Sequence, residues 1–124
     1  MKIGIAKLIE DLLLLGFKDV SQLDAGGTSY AVIPKFIIPA GSSADRIISL
    51  GVPAPADYPR NVAASMHVKA DPHLFPFGNV PGIRNVVASP LGDEWQYWSY
   101  TFQIRVDNPT LELITQINEV FRKN

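Results

Sequence analysis

Residues 46–74, RIISLGVPAPADYPRNVAASMHVKADPHL, hold two alternating runs separated by a proline-studded segment, and this stretch constrains the fold most tightly. In the first run Ile48, Leu50 and Val52 alternate with Ile47, Ser49 and Gly51. In the second, Val62, Ala64, Met66, Val68 and Ala70 alternate with Ala63, Ser65, His67 and Lys69. Successive side chains of a strand point to opposite faces, so the pattern predicts two strands with one face on a core and the other toward solvent. Between them stand Pro53, Pro55 and Pro59. Proline has no backbone N–H to give to a ladder, so residues 53–61 are predicted to be a rigid connector rather than a central strand. On this pattern His67 lies on the outer face beside Ser65 and Lys69, as a solvated or partner-facing side chain.

The flanks supply helices and further strands. Ile5, Leu8, Ile9, Leu12 and Leu13 recur at helical spacing and predict a helix over 3–15, with Gly16 as its C-terminal cap. The DAGGTS run, residues 24–29, signals a turn, and residues 30–38 a strand in which Pro34 marks an edge position or a bulge. Residues 75–94 carry prolines and glycines throughout and are expected to form a long irregular loop with one short strand near 83–88. WQYWSYTFQIRV, residues 95–106, alternates again and is expected to be extended. Asn108 and Pro109 then open a last helix with Leu111, Ile114, Ile117 and Phe121 on its buried stripe and Arg122 and Lys123 at its end. Helices at both ends of consecutive strands predict an α+β fold, an antiparallel meander sheet flanked by an N-terminal and a C-terminal helix.

At 124 residues, 47% apolar and 19% charged, the chain is expected to be one domain, residues 1–124, with a single core. A net charge of −1 without basic runs shows no nucleic-acid footprint, and no nucleic-acid partner is expected. There is no cysteine, which removes disulfides, thiolate metal sites and thiol nucleophiles, and two histidines are too few for a histidine-rich metal centre. No cofactor and no metal is expected. Glu10 and Asp11 break the apolar start, so it is not read as a signal peptide, and no apolar run approaches the roughly 18 residues of a membrane span. A cytoplasmic protein that does not engage membranes is expected.

The order of these pieces resembles the ubiquitin-conjugating enzyme family, in which a helix and a four-stranded meander lead to a Tyr-Pro connector, another strand and a His-Pro-Asn turn. The matching segments are RIISLGVP, ADYPRNVAAS, MHVKA and DPHL, with Asp57-Tyr58-Pro59 in the connector. The chain is most similar to prokaryotic ubiquitin-conjugating-like family E, through Tyr58-Pro59, Asp71-Pro72-His73-Leu74, Trp95-Gln96-Tyr97-Trp98-Ser99 and Pro109, over roughly residues 2–122. The resemblance implies a bacterial ubiquitin-like system and, as partners, a ubiquitin-like protein or an activating-type enzyme. It also exposes departures. The family's thioester needs a cysteine that this chain lacks, and the turn has no asparagine. The expectation is therefore a cysteine-less binding domain, with a homodimer or a general interaction scaffold as the rival.

Individual residues add two further expectations. Ser99 and Ser89 are the hydroxyls that would accept an acyl group in place of a thiol, with His73 as the candidate base, although no acid–base partner stands at a readable spacing from either serine. Phe75 and Phe77, set among Pro76 and Gly78, together with Tyr58 and Trp95, are the candidate partner-binding side chains.

Overall fold

The computed structural model describes residues 2–62, 65–80, 83–99 and 108–124. Helix α1 (Gly4–Leu14) is followed by β1 (Ser21–Ala25), β2 (Thr28–Ile37), β3 (Ile47–Ala54), β4 (Met66–Lys69), β5 (Gly78–Val80), β6 (Ile83–Ser89), β7 (Gly92–Ser99) and helix α2 (Pro109–Lys123). The fold is α+β, with a helix at each end of the chain and one antiparallel sheet in the order β1-β2-β3-β4-β7-β6-β5. Two meanders, β1–β4 and β5–β7, are thus zipped together where β4 pairs with β7.

Local chemistry explains the elements. Gly26 and Gly27 both take positive φ, 58° and 79°, and turn β1 into β2 in two residues. β2 lies inside the sheet, so Pro34 marks a bulge, where the register to β3 slips between Ile33 and Phe36. At the end of α1 the Gly16 N–H donates to Leu13 O and the Phe17 N–H to Leu12 O, a Schellman closure. At the start of α2 the Asn108 side chain accepts from the Leu111 N–H at 3.3 Å with Pro109 in the first turn, as expected.

One face of the sheet packs on both helices. Ile48, Leu50 and Val52 of β3, Met66 and Val68 of β4, Val86 of β6 and Trp98 of β7 meet Leu8 and Leu12 of α1 and Leu113, Ile117 and Phe121 of α2. The Phe121 ring sits 5.4 Å from Trp98 and 5.8 Å from Phe36, so α2 reaches strands of both meanders.

Three expectations change. Residues 75–94 are not an irregular loop but carry β5, β6 and the start of β7. Pro76 and Pro90 punctuate the strands rather than dissolve them, Pro76 standing ahead of β5 and Pro90 in the turn between β6 and β7, while Pro81 lies outside the described residues. Pro53 is the last residue but one of β3, opposite Tyr30, so the connector proper begins at Pro55. A proline fits there because the pairing of β3 with β4 has already ended at Gly51, and its missing N–H leaves no gap in that ladder. Leu13 and Leu111, expected in buried stripes, are 49% and 45% exposed, because each helix turns a narrower face inward. Of the extended segment 95–106, residues 95–99 belong to β7, and residues 100–106 lie outside the described residues.

Candidate functional site

The connector between β3 and β4 is held from beneath by Tyr58. Its side chain, a candidate for partner contact, is 0% exposed and belongs to the core. The ring leaves the connector and passes between the two helices, where its hydroxyl bonds to the Thr110 hydroxyl. Thr110 Oγ1 gives its only proton to Asp11 Oδ2 at 2.8 Å, so Tyr58 is the donor to Thr110. Asp11 in turn pairs with Lys7 Nζ at 2.9 Å. The Tyr58 carbonyl also accepts the Gly4 N–H at 2.8 Å, an approach so close that a Cβ at Gly4 would stand 3.0 Å from Ala56 O. Burial raises the Tyr58 phenol above its usual value, the bond to Thr110 opposing this and the nearby Asp11 adding to it.

Above this network lies a groove of about 390 Å³ between α1, Pro59 and the start of α2. Leu14 and Leu15 form its α1 wall and Pro109 its far side. Leu14 is 78% exposed and Leu15 40%, an apolar pair left in water at the end of a helix.

A second arrangement lies on the sheet face turned away from the helices. There Gly51, His67, Tyr97 and Val87 stand in one row across β3, β4, β7 and β6. The sequence pattern leaves this face to solvent, yet His67 is only 3% exposed. The hairpin turn after β6 folds back over it. Gly51 provides the room, since a Cβ there would lie 3.0 Å from Leu91 Cδ1 and 3.3 Å from Trp95 Cζ3. The imidazole stacks on Tyr97 at 4.9 Å and meets the edge of Tyr30 at 5.0 Å. Its Nδ1 lies 2.8 Å from Ser89 Oγ, which also accepts the Leu91 N–H at 3.1 Å. Burial pushes the His67 pKa down to about 4, so the ring is neutral near pH 7.

No protein-family model, curated protein or solved structure matches this chain. Function must be read from its own side chains.

Of the remaining candidates, Trp95 is 7% exposed and covers Gly51, so it is a packing residue and not a surface anchor. Phe75 is half-buried, its ring 5.4 Å from Trp98, and it belongs to the core margin. Phe77 alone of the four presents its ring outward, at 54% exposure. His73 does not reach Ser89; the histidine that does is His67. His73 instead meets the edge of Phe77 at 5.4 Å and lines a groove of about 780 Å³ with Ser49, Asp71 and the Lys69–Glu94 ion pair. Its Nδ1 is buried without a hydrogen-bond partner among the described residues. Ser99 ends β7 opposite Asn85, and its side chain lies outside the described residues. Among the described residues no three His, Asp or Glu side chains gather around a point that would hold a metal ion, and no helix is long and apolar enough to cross a membrane.

The pairing of His67 with Ser89 was hidden from the sequence because it depends on the register of β4 against β7 and on a turn 22 residues away. The one local cue was Gly51, a residue without a side chain in the middle of an otherwise well-filled strand.

Proposed function

We propose that the chain is a cysteine-less ubiquitin-conjugating-like domain that binds a ubiquitin-like protein or its activating-type enzyme, through α1, the connector around Pro59 and the start of α2. The observation that carries this reading is the groove beside Pro59, walled by the exposed Leu14 and Leu15. Burying one leucine fully is worth about 1.5–3 kcal/mol, so an exposed pair on a helix is a standing source of affinity. The Tyr58–Thr110–Asp11 chain ties the groove's connector and helices together, so little ordering is left to be done on binding. The position of the Tyr58-Pro59 bend between two neighbouring antiparallel strands, the second of which leads into Asp71-Pro72-His73, supports the resemblance that suggested these partners. With no cysteine in the chain, the role left to such a domain is binding rather than thioester transfer.

Calorimetric titration with a ubiquitin-like protein and, separately, with an activating-type enzyme tests this. One of the two is expected to bind, and Leu14→Glu to weaken it by about tenfold or more, a loss of about 1.4 kcal/mol, with the melting temperature unchanged. Absence of binding to both at high micromolar concentration would overturn the reading.

A further inference from the structure

Ser89 and His67 take no part in the groove beside α1, and their chemistry is independent of any partner bound there. We infer that Ser89 is a nucleophilic hydroxyl with His67 as its base, and that it accepts small acyl groups from activated esters. Three features of the pair support this. First, Nδ1 and Oγ are 2.8 Å apart, the reach needed for proton transfer between a hydroxyl and its base. Second, the Leu91 N–H already donates to Oγ at 3.1 Å. That bond occupies one of the two Oγ lone pairs, and in the tautomer with the ring proton on Nε2 the hydroxyl proton points at Nδ1, as the proposed base role requires. The same N–H is in place to stabilise negative charge on Oγ as its proton leaves. Third, the imidazole is clamped between Tyr97 and Tyr30, so its direction toward Ser89 is set before any substrate arrives.

The surroundings define the substrate class. Ser89 is half-buried at the end of β6, between exposed Ala88 and exposed Pro90, and it lies outside both the groove beside Pro59 and the groove at His73. An acyl donor reaches it from the tip of the hairpin and meets exposed neighbours rather than a walled pocket. Short acyl groups are the proposed substrates, since Ser89 stands among exposed neighbours at a hairpin tip rather than in either groove. In the step itself Oγ attacks the carbonyl carbon of the ester. The Oγ–carbon bond forms, the bond from that carbon to the leaving oxygen breaks, and the leaving group departs with the electron pair. The hydroxyl proton passes to Nδ1 and from there to the leaving group.

The full chain incubated with p-nitrophenyl acetate provides the test, with nitrophenolate release followed by absorbance and the acetylated residue located by peptide mass. One acetyl group is expected on Ser89, and Ser89→Ala should remove it. His67→Gln should slow Ser89 acetylation by roughly a hundredfold. Should that variant fold poorly, the wild-type pH profile serves instead. The rate of Ser89 acetylation should be level from neutral pH downward and fall only as pH approaches about 4, where His67 takes up a proton. A p-nitrophenyl ester of a long acyl chain should acylate Ser89 no faster than the acetate does. Acetyl groups found only on lysines, or nitrophenolate release unchanged in Ser89→Ala, would overturn the assignment.

Discussion

At the scale of the residue, His67 carries the clearest consequence. A nearly inaccessible histidine between two tyrosine rings is held neutral, its pKa lowered from 6.5 to about 4 by burial. Between those two values the His67 ring holds a proton in the unfolded chain and none in the folded one, so stability falls as pH falls through that window. The full effect, reached below about pH 4, is about 3 kcal/mol at 1.36 kcal/mol for each unit of the shift. Urea midpoints measured from pH 7 to pH 4 for the wild type and His67→Gln should diverge in the upper part of that range, before the carboxylates begin to titrate. Parallel curves would mean that His67 is protonated without cost and therefore not buried. The residue also shows the limit of alternation as a guide. The outward parity of His67 was legible in the sequence. Its burial was not, because the rings against it, Tyr30 and Tyr97, come from β2 and β7, and Leu91 and Trp95 close over the adjacent Gly51 from β7 and the turn before it.

At the scale of the element, the connector was legible as a bend and illegible as a clamp. Pro55 and Pro59 exclude it from the sheet wherever the chain goes. That Tyr58 would plunge from it between α1 and α2 depends on helices that flank the sheet at opposite ends of the sequence. Tyr58→Phe keeps the ring and deletes the donor to Thr110, while Thr110 still donates to Asp11. The expected cost is about 1 kcal/mol, the net value of one hydrogen bond, read from chemical denaturation. Faster amide exchange should accompany it at Gly4, whose N–H donates to the Tyr58 carbonyl. A loss near zero with exchange unchanged would show that the hydroxyl is dispensable and that packing alone holds the connector. Residues 75–94 make the complementary point. Read one at a time, their prolines and glycines suggest irregular chain. With β5, β6 and β7 paired, Pro76 and Pro90 fall outside the strands, and residues 78–80 and 83–89 belong to the ladders.

At the scale of the whole molecule, two meanders could have been two folding units, but the core does not divide that way. Trp98 of the second meander lies opposite Met66 of the first and against Phe121 of α2, and all three are essentially without exposure. Phe121 also reaches Phe36 of β2. Unfolding should therefore be a single cooperative transition, with tryptophan fluorescence and far-ultraviolet circular dichroism giving coincident curves. Trp98→Ala should lower the stability read by both probes by roughly 3–5 kcal/mol together. Separate transitions would show that the β4–β7 seam is weaker than either meander.

Much of the local structure follows from the sequence alone. Helix ends, turns and breaks depend on caps, glycine conformations and missing N–H groups, which act within a few residues of chain. The termination of α1 at Gly16, the opening of α2 at Asn108 and the exclusion of Pro55 and Pro59 from the sheet are all of this kind. The absence of cysteine likewise limits chemistry before any folding is considered. The tertiary structure decided which faces were covered and which side chains met. It buried Tyr58 and Trp95, left Leu14 in water, and placed Ser89 on His67 rather than His73. Those outcomes depend on the register and order of strands distant in sequence, and periodicity within one segment carries no record of what another segment lays upon it.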